Sequence, residues 1–313
     1  MKVLFVWSGL SGYMGDCWRA LAATGGVELK VAVDAKSSLA GGRFDAAETM
    51  RGIDWSDSLP SEAWSPDVIF TVGWHNPLCR AAALREWGGA RKVCCFDMPW
   101  EWRLRKIAAR FVLWRYLRRF DAAFVSGMVA ARYARWLGFG DGRVFTGLFS
   151  TNISRFGTHV GGKGFLYVGR DSPEKGLDVL RKAHELYRLR GGTWPLEMVN
   201  GVSPDDLGPI YAAADCFVLA SRHEPWGVVL VEAAAAGLPI ICTEACGARH
   251  EVVNGNGIVV PKNDAEALAS AMAEVAEGKR TFDLEEGRRL ASKYSCEEWS
   301  RRVMEICKEL CNV

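Results

Sequence analysis

The 313 residues contain no stretch approaching the ~20 uninterrupted apolar residues that a membrane-spanning helix needs. No signal peptide is expected either: Met1-Lys2 leads straight into the strand-like Val3-Leu4-Phe5-Val6-Trp7, and the expected location is the cytoplasm. Cysteine is not scarce, at ten residues, but no CxxC pair with zinc spacing exists, and Cys94-Cys95, Cys216 and Cys242 sit in apolar runs. Buried or free thiols are the expectation, with Cys242 and Cys246 the one place where a metal site stays open. Strong charge of either sign is also absent. A formal net charge of +2 says little about partners, and 49% hydrophobic with 24% charged residues is the composition of a folded globule, not of a disordered chain.

What is present is a repeated alternation. Short apolar runs bounded by turn residues, Val3 to Trp7, Leu29 to Val33, Val68 to Val72, Val93 to Phe96 and Ala122 to Ser126, alternate with helical patterns, as βα units of a parallel sheet do. After Asn152 and the pair Gly161-Gly162 a second series follows: Phe165 to Val168, Leu196 to Val199, Cys216 to Leu219, Pro239 to Cys242 and Gly257 to Val260. The reading is two α/β domains, 1–155 and 156–295, and a last helix, 296–313, that either covers the second domain or packs back on the first. Ligands of open α/β sheets bind beyond the carboxyl ends of the strands, so the loops after the strands are where function is sought, in a cleft if the two domains face each other.

One such loop runs Gly169-Arg170-Asp171-Ser172-Pro173-Glu174-Lys175-Gly176 between a strand and a helix beginning at Leu177. Glycines there let backbone N–H groups approach an anion, and Arg170 with Lys175 brings two cations, which suits a diphosphate; a solvated loop with ordinary surface charges is the plain alternative. A second loop, Ser221-Arg222-His223-Glu224-Pro225-Trp226-Gly227, precedes an apolar run from Val228 through Ala236 that reads as a buried helix. Its first amides, Gly227 to Val229, form a second anion-binding edge. Glu232, about one and a half turns in, and Glu224, on the loop before, are placed to accept hydrogen bonds from hydroxyls. Taken alone, both glutamates read first as surface residues.

Together these segments resemble the retaining glycosyltransferases of family 4. The residues that carry the likeness are Gly169-Arg170 with Glu174-Lys175-Gly176, Glu224 and Glu232, Ala236-Gly237-Leu238-Pro239, and Glu251 with Asn256-Gly257 before Val259-Val260-Pro261. The resemblance runs through most of residues 160 to 275 and more weakly across the first half. It implies a GT-B fold, two Rossmann-like domains, with an acceptor side in the first and a nucleotide-sugar donor site in the second. It further implies that Arg170 and Lys175 hold the donor pyrophosphate, that Glu224 contacts the transferred sugar, that the amides of Gly227 and Val228 approach the phosphates, and that Glu232 binds the ribose. Trp226 stands where the family often has phenylalanine, lining the sugar site. No metal or other cofactor is implied, in keeping with the missing DxD motif; the nucleoside diphosphate sugar is a co-substrate.

Departures matter as much. Gly201 to Leu207 follows the strand at 196–199 directly, so one βα unit of the family pattern is missing or merged. Gly9, Gly12 and Gly15 resemble the family's glycine-rich loop near donor phosphates and acceptor, but do not spell GxGxxG; Asp34 at the end of the second strand raises a dinucleotide-dehydrogenase reading that leaves the second-half motifs unexplained. Where the family has His-Asp, this chain has Phe96-Asp97. His75 is a substitute for that histidine or a structural residue, and Asp97 an acceptor-orienting group or a helix cap before Pro99. From Glu101 to Arg119 seven basic residues face Glu101 alone, a local charge of +6, with Leu104, Ile107, Ala108, Phe111 and Trp114 at helical spacing. This helix is expected to lay an apolar stripe on the sheet and offer arginines to anionic lipid head groups or a phosphorylated acceptor; a helix with a merely solvated face is the alternative. No motif supports nucleic-acid binding. The expected activity is transfer of a sugar, with retained configuration, to an acceptor hydroxyl of a glycan or lipid-linked carrier in bacterial cell-surface synthesis, in the cytoplasm or at the inner face of the membrane. The rival is a non-catalytic GT-B subunit that binds a sugar nucleotide or a protein partner.

Overall fold

The computed structural model describes residues 1–34, 46–157, 159–162 and 164–312. Two compact units emerge, Met1–Ser150 with Cys296–Val313, and Thr151–Ser295. The break thus falls just ahead of the expected 155/156, and the terminal helix belongs with the first unit.

In the first unit, β1 (Lys2–Trp7), β2 (Glu28–Val33), β3 (Trp55–Ser56), β4 (Val68–Val72), β5 (Arg91–Phe96), β6 (Ala122–Val125) and β7 (Val144–Thr146) form one sheet in the order β3-β2-β1-β4-β5-β6-β7. Every pairing is parallel, with Val3 level with Leu29 on one side and Val68 on the other. The continuous apolar runs have this cause: a parallel strand is covered on both faces, so Val3, Leu4, Phe5 and Val6 are all fully buried. The edge strands β3 and β7, two and three residues long, are too short to leave a period in the sequence.

One face of this sheet carries an aromatic core. Phe5 stacks on Phe70 at 4.6 Å, and Trp18 from the helix Gly12–Ala22 and Trp299 from the terminal helix Cys296–Cys311 close over it. Trp299, Val303, Ile306, Cys307 and Leu310 fall at i, i+4, i+7, i+8 and i+11, one helical face, and are all buried, which is why this last helix folds against the sheet. The indole N–H of Trp299 donates to the Leu148 carbonyl at 2.7 Å, so the ring is held by polarity as well as by packing.

The second unit holds β8 (Phe165–Val168), β9 (Leu196–Val199), β10 (Cys216–Leu219), β11 (Ile240–Thr243) and β12 (Gly257–Val260), ordered β12-β11-β10-β8-β9 and parallel throughout. Between β9 and β10 lie a single turn, Pro204–Asp206, and the helix Leu207–Ala213, with no strand among the described residues. The chain leaves β8 toward β9 on one side and returns to β10 on the other. That reversal opens the sheet between the carboxyl ends of β8 and β10, where the two loops singled out in the sequence both begin.

The basic segment folds otherwise than expected. It breaks at Leu113 into the helices Leu104–Val112 and Trp114–Leu117, and the first buries none of its residues. Leu104, Phe111 and Trp114 face solvent instead of the sheet; Ala109 and Leu113 reach the core in part, and Tyr116, Leu117 and Phe120 in the following turn are buried in it.

Replacing Trp299 by Ala should destabilise the first unit by about 3–5 kcal/mol, since it empties the core and strands the Leu148 carbonyl. Chemical denaturation followed by near-ultraviolet circular dichroism reads this directly, and a loss under about 1 kcal/mol would show that the terminal helix does not secure the sheet.

Candidate functional site

The loop after β8 passes Gly169 and Arg170, makes the single turn Pro173–Lys175, and enters the helix Leu177–Leu189 through Gly176. Gly176 has φ 65°, and a Cβ there would sit 2.3 Å from the Ala220 carbonyl oxygen, so only glycine lets this loop lie against the end of β10. The contact is reinforced by hydrogen bonds: the backbone amides of Arg222 and His223 donate to the Glu174 carbonyl at 2.7 and 3.3 Å. The Arg222 side chain adds bonds to the Pro173 carbonyl (2.9 Å), Asp178 (2.5 Å) and Asn263 (2.6 Å), tying the loops after β8, β10 and β12 together.

This meeting of loops produces the central ion pair. Lys175 Nζ donates to Glu224 Oε2, both side chains being largely buried, and Ser221 Oγ lies 3.5 Å from the same oxygen. Arg170 stands at the outer side of the loop, 3.9 Å from Glu174. Glu224 is held in turn by its backbone, whose amide donates to the Ala245 carbonyl and whose carbonyl accepts from the Gly247 amide. A short bridge to Cys246 completes this link to the loop after β11.

Gly227, with φ 95°, turns the chain from that loop into the helix Val228–Ala235. A Cβ at Gly227 would lie 3.0 Å from Glu224 Cγ, so the helix starts tight against the carboxylate. Its first-turn amides, Val228 among them, have no acceptor within the helix and carry its positive dipole end. Lys175, a carboxylate and a helix amino end therefore meet at the carboxyl edge of β8 and β10, with Arg170 on the outer side of the same loop, an arrangement able to hold a diphosphate and one or more hydroxyls.

Glu232 lies inside the fold and not at an open mouth. It is 5% exposed and accepts hydrogen bonds from the Tyr211 hydroxyl at 2.9 Å and from Thr151 Oγ1 at 3.4 Å. Burial pushes its carboxyl up to about 7, the two hydroxyl bonds and the more distant Arg155 opposing the shift without cancelling it. Tyr211 is driven up in turn by its own burial and then by the neighbouring carboxylate. Trp226 is also buried, tilted on Tyr294 at 5.2 Å, with its indole nitrogen unpartnered among the described residues.

Residues 195–293 carry the signature of the family Glycosyl transferases group 1. The chain therefore contains a glycosyl transferases group 1 domain. Glu224 and Glu232 lie within that domain, while Arg170 and Lys175 precede the matched stretch. The chain is 28% identical over 138 residues to a D-inositol 3-phosphate glycosyltransferase of Corynebacterium urealyticum, covering 43% of this chain and 32% of the relative. It is 40% identical over 72 residues to the lipopolysaccharide core biosynthesis glycosyltransferase LpsE of Rhizobium meliloti, covering 23% and 21%. The matches thus span about a fifth to a third of these relatives' lengths. Among solved structures, Anabaena Alr3699/HepE in complex with UDP superposes with a TM-score of 0.74 at 14% identity, over 99% of this chain and 100% of that one, and shows the same GT-B fold.

Beside the group 1 domain, the first unit places its candidates separately. Gly12 begins the helix Gly12–Ala22, and Gly15 is required for packing, since a Cβ there would meet the Thr49 carbonyl oxygen at 2.5 Å. His75 follows β4 and is exposed beside the Trp74 ring; Asp34 accepts a hydrogen bond from Asn76. Asp97 follows β5 but caps no helix, because the next one starts only after Arg103. Sequence reasoning missed Thr151, Tyr211 and Arg222. Arg222 adjoins the Glu224 loop and its charge was the available signal; Thr151 and Tyr211 gave none, being distant in sequence from the carboxylate they hold.

Because the folded chain binds the Glu232 proton more tightly than the unfolded chain, this group makes stability fall as pH rises from the ordinary carboxyl range near 4.5 toward about 7. Glu232→Gln should flatten that slope and raise stability above neutrality by at most about 3 kcal/mol. Denaturation midpoints at acid and mildly alkaline pH test this, and an unchanged slope in the variant would assign the pH dependence elsewhere.

Proposed function

We propose that the chain is a retaining, metal-independent glycosyltransferase that moves a sugar from a nucleoside diphosphate sugar to an acceptor hydroxyl in the synthesis of cell-surface glycans. The observation that carries this is the Lys175–Glu224 pair set against the amino end of the helix Val228–Ala235, at the point where the second sheet reverses. Relatives named for lipopolysaccharide core synthesis and for O-antigen chains support the choice of product class. A neighbour solved with UDP and glucose supports the donor class.

In this reading Arg170, Lys175 and the amides at Gly227 and Val228 neutralise the donor diphosphate. Glu224, oriented by Lys175, accepts from sugar hydroxyls, and Glu232 offers its remaining lone pairs to the ribose alongside Tyr211 and Thr151. The acceptor oxygen attacks the anomeric carbon from the face the leaving group departs. As that bond forms, the bond from anomeric carbon to phosphate oxygen breaks, its electron pair stays on the diphosphate, and the same phosphate oxygen takes the acceptor's proton. Charge grows on the leaving diphosphate, so the fixed cations and amides stabilise the transition state more than the ground state. The acceptor side falls to the first unit, with His75 and Asp97 at the ends of β4 and β5 as its polar groups.

Lys175→Ala should lower kcat by about 100-fold or more, since it removes one phosphate cation and leaves Glu224 without its counter-ion. The measurement is release of nucleoside diphosphate in the presence of an acceptor, and near-normal turnover would sink the assignment. Because diphosphate charge is met by side chains and amides, the same turnover should survive excess EDTA. Thermal shifts with UDP, GDP, ADP and their sugars should single out one base, and donor binding without turnover would favour the non-catalytic reading.

A further inference from the structure

The segment Trp102–Trp114 presents an apolar surface that the fold leaves uncovered. Trp102 is 82% exposed, Leu104 84%, Phe111 73%, Val112 78% and Trp114 51%. Leu104, Ala108, Phe111 and Val112 recur at i, i+4, i+7 and i+8 of the helix Leu104–Val112, so they share one face, and that face looks outward. Exposed apolar residues scattered singly are ordinary; a contiguous stripe flanked by tryptophans marks a contact surface.

The charges around the stripe select the partner. Glu101 is occupied by Arg103 at 3.0 Å and Lys106 at 3.1 Å. Arg105 and Arg115 are exposed and make no ion pair among the described residues, and Arg118 lies 5.0 Å from the centre of the Trp114 ring. A second copy would bring the same arginines face to face, which disfavours self-association through this surface. Nine helical residues lying flat present a strip of about 13 Å, with cations beside the apolar face and amphipathic indoles at both ends, the pattern of a helix that lies in a lipid interface.

The mount is rigid. Tyr116, Leu117 and Phe120 anchor the following turn in the core, the Tyr116 hydroxyl donates to the Gly73 carbonyl at 3.1 Å, and Trp100 packs on Trp136 at 4.8 Å. Lys106 Nζ donates to the Pro99 carbonyl, joining the helix to the loop that leaves β5 past Asp97.

We infer that the face formed by Trp102, Leu104, Phe111, Val112 and Trp114 docks on an anionic lipid bilayer, the apolar side chains entering the acyl boundary and the arginines meeting the head groups. The docking is independent of the transfer reaction. It brings the loop after β5 to the membrane surface, where an amphiphilic acceptor would be found.

The test uses the full chain and vesicles of phosphatidylcholine with and without phosphatidylglycerol, read by co-sedimentation. Binding should require phosphatidylglycerol and should weaken about tenfold or more both in Phe111→Ser with Val112→Ser and in Arg105→Glu with Arg115→Glu. All these side chains are exposed, so the variants should unfold at the parent's temperature. No binding to the anionic vesicles, or binding that either double variant retains in full, overturns the inference. So does a concentration-dependent dimer in sedimentation velocity that Phe111→Ser with Val112→Ser abolishes, which would assign the face to a second copy.

Discussion

The candidate donor site depends on one close approach, that of the Gly176 backbone to the carbonyl of Ala220. A loop after β8 and a loop after β10 start from neighbouring strands but would ordinarily diverge with their helices. Here the missing side chain lets them touch, and the Glu174 carbonyl then serves both following amides of the β10 loop. Lys175 and Glu224, far apart in sequence, meet because of that seam. The Arg222 guanidinium spreads the same restraint to the loop after β12. A site assembled from loops thereby gains some of the positional precision of a sheet, which electrostatic stabilisation of a leaving group demands.

The two glutamates of this site illustrate how environment divides labour between identical side chains. Glu224 is matched by the Lys175 cation, which fixes the direction in which its carboxylate points. Among the described residues Glu232 is hydrogen-bonded by hydroxyls alone, with Arg155 acting from further off, and its burial is paid in the coin of proton affinity. A carboxyl poised near neutrality adapts its bonding to what lies beside it: ionised it accepts from four directions, protonated it donates from one. Tyr211 and Thr151 keep it oriented in either state.

Much of this was legible in the sequence because parallel strands, buried on both faces, leave unbroken apolar runs. Phe165–Val168, Leu196–Val199 and Cys216–Leu219 begin and end where the pattern puts them. The glycine and proline punctuation around Glu224 likewise announced the start of the helix at Val228. What escaped were facts of tertiary contact. Nothing local says that Glu232 turns inward to Tyr211, or that Trp226 is covered by Tyr294. For the segment 104–114, helical periodicity was read correctly but its direction was not: an apolar stripe specifies that a face wants cover, and only the packing of Tyr116 and Leu117 reveals that the sheet does not provide it.

The terminal helix carries a consequence for how the chain is made. Cys296–Cys311 completes the core around Phe5 and Trp18, so the unit that leaves the ribosome first is also the one that must wait longest for its last piece. The sequence from Thr151 to Ser295, by contrast, forms its own sheet within a single continuous stretch. A chain cut between residues 296 and 311 would leave Phe5, Phe70 and Trp18 exposed on an otherwise finished molecule, a surface that chaperones and proteases recognise.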